Sequence, residues 1–140
     1  MKQTILILIL TIGLNGFSQN LQTNPWRIDK IIGGDTNNIQ EFTLQKVDTT
    51  NRYWVWGNTI RFFSNGKFEC KYSAKCGNDC FPSSNGSFQL TDTTLITIFL
   101  EEYNQAGDCE KMHRKIKKTL GTYLIVHNNV DTIKLIRQKK

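Results

Sequence analysis

The sequence predicts an all-β protein, an antiparallel up-and-down barrel of about eight strands. Apolar and polar residues alternate with period two through almost the whole chain after residue 25. Clusters of Asn, Gly, Asp, Ser and Thr separate these alternating stretches, and only residues 101–119 depart from the pattern. Such alternation indicates a sheet with one face on a core and one face in water. Closure into a barrel removes the exposed edges, and a flattened two-sheet sandwich is the alternative.

The first element is a predicted signal peptide, MKQTILILILTIGLNGFS, over residues 1–18. Lys2 supplies the positive charge, an apolar run follows from Ile5 to Leu14, and Gly16 and Ser18 offer the small residues of a cleavage site. The apolar run is about half as long as a bilayer core requires, so no membrane span is expected. Cleavage leaves a single domain at 19–140 in the periplasm or outside the cell.

Eight strands are then expected near 26–32, 39–47, 53–63, 67–73, 86–91, 94–100, 120–127 and 130–137. In FFSNGKF, a three-residue loop that ends at Gly66 is favoured over a two-residue loop. The longer loop sets Phe62 opposite Phe68 and Arg61 opposite Glu69, so the apolar residues share one face of the hairpin and the charged residues share the other.

A second tight turn is expected at Asn128-Asn129, with Leu124 opposite Ile133. The polar residues 101–119 lie between the sixth and seventh predicted strands. They are expected to form a polar loop or a short helix that begins after Asp108.

The cysteines, Cys70, Cys76, Cys80 and Cys109, predict two disulfides, because an even number is typical of small exported domains. A zinc site would need two tight pairs, and a thioredoxin motif needs two intervening residues where Cys76 and Cys80 have three. An up-and-down order brings the loops after the fourth and sixth strands together. This order favours Cys109 bonded to Cys76 or Cys80, with Cys70 taking the other. Cys76–Cys80 with Cys70–Cys109 is the alternative.

Trp26, in NPWRI, opens the first predicted strand, and Arg137, in KLIRQ, lies in the last. In these features the mature chain resembles small exported lipocalin-like proteins, which are calycin-type barrels. The resemblance implies that Arg137 lies across Trp26. The order Cys76-Gly77-Asn78, Gly86-Ser87-Phe88 and Cys109 also resembles META-type domains. Both resemblances imply binding rather than catalysis.

One candidate binding site is a set of aromatic residues that share a parity on neighbouring strands: Trp54, Trp56, Phe62, Phe68 and Tyr72. If the barrel leaves a cavity, they line an apolar site for a small apolar or amphipathic ligand. If it does not, they form the packed core, because an eight-stranded barrel lies at the boundary between the two cases.

A second candidate is a basic surface made by Lys111, Arg114, Lys115, Lys117 and Lys118. It is either a solvated loop face or a contact with lipopolysaccharide, an anionic glycan or an acidic protein. The mature chain has 17 Lys and Arg against 12 Asp and Glu, which leaves a net charge of +5. Export and the lack of aromatic residues in the run argue against nucleic acid. The basic segment and the CGNDC loop also suit an exported inhibitor or immunity-type protein.

The sequence predicts no enzyme. His113 and His127 are the side chains that titrate nearest neutral pH, and both are expected on the surface. No nucleophile elbow and no metal-ligand motif is present in the sequence. We therefore expect a monomeric binding protein without cofactor or metal.

Overall fold

The computed structural model describes residues 21–22, 24–34, 39–48, 50 and 55–139. The predicted signal peptide and Trp54 lie outside these residues. The described strands are β1 (Trp26–Ile28), β2 (Glu41–Lys46), β3 (Gly57–Phe62), β4 (Lys67–Ser73), β5 (Cys80–Leu90), β6 (Leu95–Gly107), β7 (Met112–Asn129) and β8 (Thr132–Arg137). They form a closed barrel in which every pairing is antiparallel, which confirms the predicted fold class.

The strand order is up-and-down from β3 to β8, since each of these strands pairs with the next along the chain. The short β1 lies between β2 and β3, with Trp26 opposite Lys46 on one side and Ile60 on the other. β8 pairs with β2 and completes the ring. A three-residue strand thus joins the two strands that follow it in sequence.

The β3–β4 hairpin has the predicted register. Phe62 lies opposite Phe68, Arg61 lies opposite Glu69, and Gly66 has the left-handed φ of 77°. The Gly66 amide donates to the Phe63 carbonyl at 3.0 Å, which closes the turn. The alternation of apolar and charged residues was therefore sufficient to fix this turn and its pairing.

The core is the barrel interior, filled by inward-facing side chains from every strand. The largest fully buried residues are Trp26, Tyr123, Phe42, Phe62, Phe68, Leu21, Ile32, Leu44, Ile60, Ile96, Ile98 and Leu100. The Trp26 indole nitrogen donates to the Leu21 carbonyl at 3.1 Å, so its one polar atom is satisfied in the interior.

The expectation of a loop or helix at 101–119 was wrong, because β6 continues to Gly107 and β7 begins at Met112. The apolar alternation fades there because most side chains on both faces of these strands are polar or charged. The predicted pairing of Leu124 with Ile133 was also wrong. The predicted turn at Asn128-Asn129 was wrong too, since β7 continues to Asn129 and the turn lies at Val130-Asp131. Leu124 therefore lies opposite Ile136.

Arg137 does not lie across Trp26 as the family resemblance implied. Arg137 is opposite Tyr123, and its amide donates to Gln40 at 2.7 Å, just before β2 begins. Trp26 is opposite Lys46, at the other end of β2. The two residues are therefore at opposite ends of the barrel.

Candidate functional site

A disulfide joins Cys80, the first residue of β5, to Cys109 in the turn between β6 and β7. The two Cα atoms are 5.3 Å apart, and 29 positions separate the residues in sequence. The prediction that Cys109 bonds within the CGNDC loop is confirmed. We call this end of the barrel, with loops 74–79 and 108–111, the stapled end.

The expected second disulfide was wrong, since Cys70 and Cys76 are both free. Cys70 faces the interior, opposite Ile60 on β3 and Ser84 on β5, and is fully buried. Cys76 is exposed in loop 74–79. Burial raises the pKa of the Cys70 thiol to about 12, so this thiol is protonated and unreactive at neutral pH.

Asp79 ties the two loops of the stapled end together. Its carbonyl accepts from the Asp108 amide at 2.9 Å, and its Oδ1 accepts from the Cys80 amide at 2.8 Å. The Tyr72 hydroxyl donates to Asp79 Oδ2 at 2.7 Å, and this hydrogen bond raises the pKa of Tyr72 above its ordinary value. Gly107 has φ of 96°, and a Cβ there would lie 2.1 Å from the Asp79 carbonyl oxygen, so only glycine fits.

Three paired strand segments lie beside the disulfide, and we call them the stapled sheet: residues 80–85 of β5, 102–107 of β6 and 112–117 of β7. Tyr103 lies at its centre with 5% exposure, and the Arg114 guanidinium lies 5.4 Å from the centroid of the Tyr103 ring. Ile32, from the segment after β1, is fully buried in the core. A Cβ on the adjacent Gly33 would lie 2.9 Å from Leu100 Cδ2, so this segment packs tightly against β6.

Trp54 lies outside the described residues, and the structure brings together two of the other four aromatic candidates. Phe62 and Phe68 are buried with ring centroids 6.5 Å apart, and Phe88, which sequence reasoning missed, lies 5.0 Å from Phe62. Tyr72 is half-buried beside Phe81 at the stapled end, at 6.1 Å between ring centroids. Trp56 is 39% exposed, just before β3 begins. The predicted aromatic wall is therefore divided between the core and the surface.

The basic candidates all belong to the start of β7 or to the turn before it, and all five are exposed. Lys115 is opposite Glu102 and Lys118 is opposite Leu100. Lys117 lies between them at a β-bulge and has φ of 49°, in the left-handed region. Lys111 lies in the turn.

Sequence reasoning missed Asp79, Glu102 and Tyr103. The signal for Asp79 was its position directly before Cys80 in KCGNDC. Both histidines are exposed, and His113 Nε2 lies 3.9 Å from Glu102 Oε2. Among the described residues, no group of three or more His, Cys, Asp and Glu side chains is arranged to hold a metal ion. None of the described helical segments has the length and apolar character to cross a membrane.

Comparison with known proteins gives no relative, since no family model, no curated protein and no solved structure matches the chain significantly. The site is therefore defined by its own geometry, a disulfide-stapled sheet with a basic outer strand.

Proposed function

We propose that this protein is an exported, non-enzymatic binding protein that contacts a protein partner through its stapled sheet. The observation that carries the proposal is the position of the disulfide. The Cys80–Cys109 bond fixes the ends of β5 and β6 beside the start of β7, where the basic residues are exposed. A rigid surface loses little conformational entropy when it binds, so this end of the barrel is suited to recognition.

Export is part of the proposal. It is supported by the signal-like segment at residues 1–18 and by the disulfide, which is stable in an oxidising compartment. The closed eight-stranded barrel and the opening Trp26 support the lipocalin-like resemblance. The order of Cys76, Gly86 and Cys109 supports the META-type resemblance.

We assign binding to the outer surface rather than to a small apolar ligand inside the barrel. Phe62 contacts Phe68 and Phe88, and Phe42 lies 5.5 Å from Tyr123 between ring centroids. These rings pack against one another, so the interior aromatic residues already have partners.

The test is capture of partners from culture fluid or periplasm by the tagged mature protein. Lys111→Glu, Lys115→Glu and Lys117→Glu together should abolish capture, because they reverse the charge of the proposed surface. The matched control is Lys30→Glu, Lys46→Glu and Lys71→Glu, which changes the net charge equally at exposed positions outside β7. Equal capture by both triple variants would refute the assignment to this surface.

A further inference from the structure

The start of β7 has an open side. β7 begins at Met112, but its pairing with β8 begins only at Tyr123, and the Gln138 amide extends the contact to the Thr122 carbonyl at 2.9 Å. Between Met112 and Lys117, no strand formed by the described residues lies on the side of β7 that faces away from β6. We call residues 112–117 the free edge.

We propose that the free edge binds an extended acidic segment of a partner protein, which adds to the sheet as a further strand. This inference rests on the proposed function and specifies the chemistry of its partner. The outward amide and carbonyl groups of an edge strand supply the backbone hydrogen bonds of such an addition.

The edge is already extended before any partner arrives. Pairing with β6 sets Tyr103 opposite Arg114 and Asn104 opposite His113, and the Arg114 guanidinium lies over the Tyr103 ring. The nearby disulfide and the Asp108–Asp79 hydrogen bond hold the turn that leads into the edge. Because the edge is preorganised, the entropy lost on strand addition falls mainly on the incoming segment.

The positive charges of the free edge favour an acidic segment. Successive side chains of a strand point to opposite faces, so Arg114 and Lys115 place cations on both faces of the edge. Acidic side chains on either face of an incoming strand would then lie opposite a cation, which stabilises cross-strand pairs. A second copy of this chain would instead set cation against cation, so the edge disfavours self-pairing.

The bulge limits how far the segment extends. Lys117 has φ of 49°, which interrupts the regular ladder geometry after Ile116. The incoming strand therefore pairs with Met112–Ile116, and Lys117 contributes its charge at the end of the contact.

The test uses a capped synthetic peptide of alternating glutamate and valine with the isotope-labelled mature protein. We expect binding in low salt and amide exchange slowed more than about tenfold for alternate residues of Met112–Ile116. A peptide with the same sequence, N-methylated at alternate positions along one edge, keeps the charges but lacks the hydrogen-bond donors. It should bind at least about tenfold more weakly. A lysine-for-glutamate peptide should not bind.

Three results would overturn strand addition. One is the absence of binding by the acidic peptide, and another is equal binding of the N-methylated peptide, which would show attraction by charge alone. The third is self-association of the protein through this edge, measured by sedimentation. If partner capture still depends on Lys111, Lys115 and Lys117 while the peptide fails, the proposed function stands without the strand-addition mode. If capture is also insensitive to those lysines, both proposals fail.

Discussion

Phe62 and Phe88 meet edge to face inside the barrel, with their ring centroids 5.0 Å apart and their planes at 83°. This arrangement places the positive edge of one ring against the negative face of the other. It is stabilising only when the rings contact directly, so the pair belongs to a packed core. The alternating aromatic residues Phe62 of β3 and Phe88 of β5 therefore contribute to the packing of the core.

We expect Phe62→Ala to lower the free energy of unfolding by about 3 to 5 kcal/mol, because it removes a fully buried ring and leaves a cavity. Urea denaturation monitored by tryptophan fluorescence measures the change. Phe99→Ala is the matched control, since Phe99 is half-buried on the outer face of β6 and should lose much less. Equal losses in the two variants would contradict a packed interior at Phe62.

Period-two alternation predicted all eight strands because each has at least one face on the core. It did not extend β6 and β7 to the stapled end, and it placed the fifth strand at 86–91, whereas β5 begins at Cys80. Few residues at that end are buried, so the apolar half of the pattern is missing there. Beyond Leu100, Tyr103 is the one buried residue of β6, and most residues on both faces are polar. Strand pairing there is held by backbone hydrogen bonds and the disulfide, neither of which has a periodic side-chain signature.

Loss of the disulfide should destabilise the protein strongly. Replacing Cys80 and Cys109 together with Ser removes a loop constraint of 29 positions, which the chain-entropy model values at about 3 to 4 kcal/mol. Thermal unfolding of this double variant should therefore show a clearly lower midpoint than the wild type. Cys76→Ser is the control and should leave the midpoint unchanged, because its side chain is exposed and unbonded.

The cysteine connectivity was only partly predictable. The up-and-down order brought Cys109 to the CGNDC loop, as found. Sequence spacing did not reveal that Cys70 points into the barrel while Cys76 lies in a surface loop, so the two thiols cannot meet. Cys70 follows Phe68 by two positions in β4, so the two side chains lie on the same, inward face of the strand. That position indicates that Cys70 packs as a small core residue.

Thiol labelling should separate the two free cysteines. In the folded, non-reduced protein, we expect one thiol to react rapidly, and peptide mapping should identify it as Cys76. Cys70 should react only after denaturant is added, because its thiol is buried and its raised pKa keeps it protonated. A linked peptide that contains Cys70 or Cys76 would contradict this connectivity.

The buried thiol also predicts a loss of stability at alkaline pH. The pKa of Cys70 rises from an ordinary 9.0 to about 12 in the folded protein, chiefly through burial, with a further increase from the neighbouring Glu69 carboxylate. Below pH 9 the thiol is protonated in both the folded and the unfolded chain, so stability is independent of its titration. Between pH 9 and 12 the unfolded chain releases this proton while the folded chain retains it. The free energy of unfolding should therefore fall across that window, by up to about 4 kcal/mol from this group.

Cys70→Ala tests this assignment. The variant should be less stable than the wild type at neutral pH because of the cavity, but its stability should fall less steeply between pH 9 and 12. Burial also raises the pKa of Tyr123, which is present in the wild type and in Cys70→Ala. The free energy of unfolding of Cys70→Ala should therefore still fall at alkaline pH, but less than that of the wild type. Cys76→Ala is the matched control and should follow the wild-type curve, since it leaves the buried thiol in place. Urea unfolding at several pH values gives the slopes, and equal slopes for Cys70→Ala and Cys76→Ala would show that Cys70 does not govern the alkaline transition.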